Sequence, residues 1–208
     1  MRGPMFSHSF LAAIIVAGLL VAPGCSSSPD ATSTVDSMGK FGVETAKVND
    51  EIDGTLKALD TLVTTQGEDL KTPFAEYSSR VTALEEQAKV VGEHAREMES
   101  RGDEFFAEWE ADAESETVSP ERRARLSQAY AKIKDDAIQA RDAFHPFLGS
   151  LKDVHGYLKL DLSRRGVEGV KEIAKKAKTD GDKVKAKIES MLQQVNSVRG
   201  MLSTKAEG

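Results

Sequence analysis

The chain has 208 residues, 39% hydrophobic and 30% charged, with a formal net charge of −6 and one cysteine. That charged fraction, with only 6% aromatics, points to long solvated helices rather than a β-sandwich. A single cysteine excludes an intramolecular disulfide framework, a four-cysteine iron–sulfur cluster and an all-cysteine zinc site, and the acidic balance argues against a nucleic-acid partner.

Met1 to Gly24 reads as a secretory signal, with Arg2 as its positive start and Phe10 to Ala22 as an apolar run broken only by Gly18. The run falls short of the roughly 20 residues that a spanning helix needs. Val21-Ala22-Pro23-Gly24-Cys25, followed by three serines, resembles the lipobox of bacterial lipoproteins, where small residues precede a cysteine that is acylated and then becomes the N-terminus. Pro23 and Ala22 stand where that pattern usually carries Leu-Ala or Leu-Ser. The resemblance implies cleavage between Gly24 and Cys25 and a covalent lipid on Cys25, with no other cofactor expected. It also accounts for an unpaired thiol in an exported chain, because acylation removes it. Ser26, in place of an aspartate, resembles the outer-membrane sorting pattern, which implies a lipid-anchored address in the bacterial cell envelope, facing the periplasm. Loss of residues 1–24 removes only Arg2 among the charged groups, so the balance becomes −7. Ser26 to Asp36 is rich in Ser, Thr, Pro and Asp, too poor in apolar groups to pack, and reads as a flexible tether over 25–36.

Four segments then carry apolar residues at alternating steps of three and four. The first runs Met38, Phe41, Thr45, Val48, Ile52, Thr55, Leu59, Leu62, and the second Phe74, Tyr77, Val81, Leu84, Ala88, Val91, Ala95, Met98, Gly102, Phe105, Trp109. The third is Leu126, Tyr130, Ile133, Ala137, Ala140, Phe144, Phe147, Leu151, Val154, Leu158; the fourth is Val167, Val170, Ala174, Ala177, Gly181, Val184, Ile188, Met191, Val195, Val198, Leu202. Sustained three–four spacing is the seam of packed helices, which strand periodicity cannot produce. Thr72-Pro73 and Ser119-Pro120 each offer an N-cap followed by proline at the first helical position, and Ser163 is a softer cap. These signals predict helices near 36–66, 73–113, 120–160 and 164–203. Short connections between helices of similar length favour an all-α, antiparallel up-and-down bundle of four helices with coiled-coil-like packing over 37–204, with 205–208 as a tail. A three-helix coiled coil with a loose first helix is the second arrangement. Phe106 and Tyr157 are the aromatics outside the seams and the signal.

Chemistry-bearing patterns are sparse. The residues three before His94, His145 and His155 are Val91, Asp142 and Lys152, so the paired Glu-x-x-His motif of a di-metal bundle is absent and no metal site is expected. No zinc-protease, c-type haem, nucleophile-elbow or phosphate-loop motif occurs, and the chain is not expected to be an enzyme.

Charge is uneven. Asp103 to Glu116 holds seven acids and no base, and acids at a helix C-terminus oppose the macrodipole. Arg122, Arg123 and Arg125 open the next helix and are expected to lie beside that acidic end. Arg164 to Lys187 holds nine bases against four acids, so Lys171, Lys175, Lys178 and Lys185 form a candidate partner-contacting face. The same basic face would also suit plain solvation or opposition to the acidic second helix. Pro146 lies inside the third seam and is expected to kink it.

Phe105-Phe106-Ala107-Glu108-Trp109-Glu110, the long third helix and Tyr157-Leu158-Lys159-Leu160-Asp161-Leu162 together resemble an uncharacterised family of bacterial helical lipoproteins, from about Met38 to Leu202. The resemblance implies a fold and carries over no catalytic or binding residue. The sequence therefore leads to a lipid-anchored envelope protein with a structural or adaptor role toward an envelope protein or the cell wall. A bundle that binds a small molecule or metal in the periplasm is the alternative.

Overall fold

The structure, a computed structural model, describes residues 31–67, 69–111 and 119–203. They form four helices, α1 (Ala31–Thr64), α2 (Lys71–Ala111), α3 (Pro120–Leu160) and α4 (Arg164–Ser203), in an antiparallel up-and-down bundle. The last two helices have the expected bounds. Cys25, Gly24 and the acidic residues Asp112, Glu114 and Glu116 lie outside the described residues, as do residues 205–208.

The first helix begins earlier than its apolar seam suggested. Residues 31–36, expected as tether, belong to α1, where Ala31 and Val35 pack against a core cluster. Thr34 and Ser37 are buried there because their hydroxyls have acceptors: Thr34 donates to the Arg101 carbonyl at 3.2 Å and Ser37 to that of Thr34 at 2.9 Å. A small polar residue can be buried once its hydrogen bond is made.

Caps fix the other starts. Ser119 accepts from the Arg122 N–H at 3.3 Å ahead of Pro120, and Ser163 accepts from the Gly166 N–H at 3.2 Å. The start of α2 differs from the expectation. Asp69, not Thr72, is the capping side chain, accepting from the N–H groups of Lys71 and Thr72 at 3.0 and 3.4 Å and from the Thr72 hydroxyl at 2.8 Å. A carboxylate offers more acceptor sites than a hydroxyl, and Pro73, the third residue of α2, still falls among the first N–H positions that lack helical partners. These bonds, led by the Thr72 hydroxyl, hold the Asp69 carboxyl below its ordinary value.

The core divides along the bundle axis. One cluster holds Ile52, Leu62, Tyr77, Leu84, Phe147, Leu151 and Leu158; the other holds Met38, Phe41, Phe105, Trp109, Tyr130, Met191 and Leu202. Each has a buried tyrosine whose hydroxyl crosses a helix interface: Tyr77 donates to the Leu151 carbonyl at 2.7 Å and Tyr130 to that of Glu99 at 3.0 Å. Burial raises both phenols well above their ordinary range, and the nearby Asp103 raises Tyr130 further. Phe106 departs from the seam reading: it is buried and stacks on Tyr130 with ring centroids 4.8 Å apart. Helix α3 continues through Pro146, whose carbonyl accepts from Ser150 Oγ at 3.1 Å.

α1 packs along α2 and α4, and α3 along α4. α2 and α3 share the thinnest of the four interfaces, and α2 stands diagonal to α4.

Candidate functional site

The thin interface opens into a cleft of about 370 Å³ halfway along the bundle. Its floor is Phe41, Thr45 and Val48 of α1 with Val184, Ile188 and Met191 of α4. Its walls set small residues, Ala88, Gly92 and Ala95 on α2 and Ala137 and Ala140 on α3, among the larger Val91, Met98, Ile138 and Phe144. A Cβ built on Gly92 meets no atom within 4 Å. The lining of α2 runs from Ala88 to Glu99, about 16 Å at 1.5 Å per residue. Volume and apolar lining fall within the range of small-ligand pockets.

Two features distinguish the cleft from a loosely packed region. Three threonines lie on the buried face of α1 at spacings close to three helical turns: Thr34, Thr45 and Thr55. The outer two donate to carbonyls of α2, Thr34 to Arg101 and Thr55 to Arg80 at 3.3 Å. Thr45, only 1% exposed, lines the cleft, and its hydroxyl has no hydrogen-bond partner among the described residues. An orphaned buried hydroxyl costs about 1–3 kcal/mol, so an acceptor in the cleft would recover it.

The second feature is the charge at the mouth. Two ion pairs bridge α2 to α3, Glu85 with Lys152 and Asp103 with Lys134. On both helices the residues midway in register are arginines: Arg96 lies eleven after Glu85 and seven before Asp103, and Arg141 stands eleven before Lys152 and seven after Lys134. Such spacings keep one helical face. The outer rungs are therefore acid with base, while the middle rung sets two guanidinium groups at the mouth of the cleft. Asp142 takes one edge of Arg141 at 2.9 Å, and Glu99 shares the rim.

The residues expected to carry function are dispersed elsewhere. On α4, Lys175 and Lys178 are exposed, Lys171 pairs with Glu168 at 2.6 Å, and Lys185 is half-buried against Asp53 of α1 at 2.6 Å. The basic helix does not oppose α2, because the two are diagonal; its cross-helix acid comes from α1. Arg123 reaches the end of α2, as expected, donating to the Trp109 carbonyl at 3.1 Å with its guanidinium 5.5 Å from the Trp109 ring centroid. Arg122 turns instead to the end of α4, donating to the Met201 carbonyl at 2.8 Å. Both contacts place positive charge where helix dipoles end. His155 stacks on Phe74 at 5.4 Å, His94 faces Glu97 at 3.5 Å, and His145 is exposed. Among the described residues no group of three or more His, Cys, Asp or Glu is placed to hold a metal ion, and no helix is long and apolar enough to cross a membrane.

A family model for proteins of unknown function, DUF2959, matches residues 34–201. The chain belongs to that family. The match spans all four helices and agrees with the expected resemblance from about Met38 to Leu202. No curated protein and no solved structure matches the chain.

The cleft was not read from the sequence. Its signal was present in the seams, where Ala88, Ala95, Ala137 and Ala140 place small side chains on two neighbouring helices, and beside them in Gly92.

Proposed function

We propose that the chain is a lipid-anchored protein of the bacterial cell envelope with a structural or adaptor role and no catalytic activity. The observation that carries this reading is the position of Cys25: the sole cysteine, after an apolar run and small residues, six residues ahead of the first residue of α1. Six residues reach at most about 20 Å when extended, so an acyl group there would hold the Phe105–Trp109 end of the bundle near the membrane surface. The 41 residues of α2 would then carry the opposite end about 60 Å outward. That far end exposes Leu160 and Tyr157, and the basic face of α4 begins beside it with Lys171, Lys175 and Lys178. Exposed apolar and basic groups suit an envelope protein or an anionic wall polymer. An outer-membrane position facing the periplasm follows from Ser26 after the cysteine.

Fractionation of cells carrying Cys25→Ser tests the anchor. The wild type is expected in the membrane fraction, labelled by a metabolically supplied fatty acid; the variant is expected to lose the label and leave the membrane. An unlabelled wild type, or a variant that stays with the membrane unchanged, overturns the reading.

A further inference from the structure

We propose that the α2–α3 cleft binds a single-chain aliphatic carboxylate that carries a second polar group along its chain. The acid head sits between Arg96 and Arg141, and the second polar group accepts from Thr45. The site is independent of the anchor at Cys25.

Three observations restrict the occupant. The apolar lining and the length of about 16 Å along α2 fit one extended hydrocarbon chain. The Arg96–Arg141 rung stands between two acid–base rungs, so an anion there completes the pattern that Glu85–Lys152 and Asp103–Lys134 set on either side. Guanidinium groups offer forked donors that match a carboxylate. Thr45 adds the requirement for a second acceptor. Its flanking counterparts Thr34 and Thr55 spend their protons on α2 carbonyls, while Thr45 lines the cleft and its buried hydroxyl has no partner among the described residues. The flanking Thr34–Arg101 and Thr55–Arg80 bonds between antiparallel helices set Thr45 nearly level with Val90 of α2. Arg96 lies six residues farther along α2, or about 9 Å, so head and second polar group stand apart along one chain.

The test is calorimetric titration of the full chain with 10-hydroxydecanoate, decanoate and neutral 1,10-decanediol. One 10-hydroxydecanoate is expected per chain, bound more tightly than either relative. Arg96→Gln and Arg141→Gln should each weaken both acids about tenfold and leave the diol unchanged. Thr45→Val should weaken 10-hydroxydecanoate to the level of decanoate. Ala95→Leu and Ala137→Leu, which fill the cleft from opposite walls, should abolish binding while the bundle still melts cooperatively. Equal binding by the wild type and both filled variants would place the probes outside the cleft and overturn the proposal. A loss of diol affinity equal to that of the acids in the arginine variants would overturn the head assignment. Sedimentation of the probe-free chain supplies a further arm: a dimer that either filled variant dissociates would assign the cleft to a second copy instead.

Discussion

α1 and α4 bury every seam residue, from Met38 to Leu62 on one and from Val167 to Leu202 on the other, whereas the seams of α2 and α3 are interrupted by partly buried residues near their middles. Ala88, Val91 and Ala95 on α2, and Ala137 and Phe144 on α3, are half-buried although their spacing is as regular as any in the chain. The period of a seam decides which way a residue points; its size decides whether two helices close over it. Where leucine, phenylalanine and methionine meet, the bundle is filled. Where alanine faces alanine, it is open.

The largest contrast should appear between two phenylalanines one helical turn apart on α3. Phe147 is fully buried in the closed region, and Phe144 borders the cleft. Phe147→Ala is expected to cost about 3–5 kcal/mol in urea unfolding, and Phe144→Ala about 1–2 kcal/mol, since part of its ring is already exposed. Equal losses would mean that the cleft is shut in solution.

Glycines sharpen the same comparison at a smaller scale. A Cβ on Gly102 would stand 2.3 Å from the Tyr130 ring, which is held by Phe106 and by the bond to the Glu99 carbonyl. Gly102→Ala should destabilise by about 1–3 kcal/mol through overpacking. Gly92→Ala meets open space in the middle of the same helix and should stabilise by about 0.5–1 kcal/mol, because alanine loses less backbone freedom on folding. Opposite signs in two melting curves would map the open and closed halves of α2 directly.

The distinction explains what the sequence could and could not reveal. Helix number, direction and the starts at Pro120 and Arg164 were legible because a three–four pattern and Ser-x-x caps act locally. The start at Ala31 was hidden because Thr34 and Ser37 become core residues only through carbonyl acceptors, one of them on α2. Phe106 was missed for a related reason: it sits one residue off the seam, and its burial comes from stacking on Tyr130 of the next helix. The cleft needed the pairing of helices as well. Nothing within α2 alone says that Arg96 will be level with Arg141, or that the threonine between Thr34 and Thr55 will lack an acceptor.

The smallest expected effect concerns acid. Asp180 of α4 accepts from Lys176 at 2.7 Å and Lys183 at 3.1 Å, and those bonds hold its carboxyl below the ordinary value of 3.8. Lys176 also donates to Ser150 of α3 at 3.1 Å, so the group braces the filled α3–α4 interface beside Phe147. A folded-state pKa below the unfolded one adds stability that is complete above the ordinary carboxylate range and lost as pH falls through the folded-state value. Each such i,i+3 or i,i+4 pair is worth about 0.2–0.5 kcal/mol. Urea midpoints at pH 7 and below pH 3 should therefore differ less for Asp180→Asn than for the wild type, with most of the gain of the native carboxylate visible at pH 7. The Arg96–Arg141 rung predicts the complement on the open side. A carboxylate bound between the two guanidinium groups at the cleft mouth stabilises the folded chain, so 10-hydroxydecanoate should raise the midpoint at pH 7 and lose that effect once its own acid is protonated.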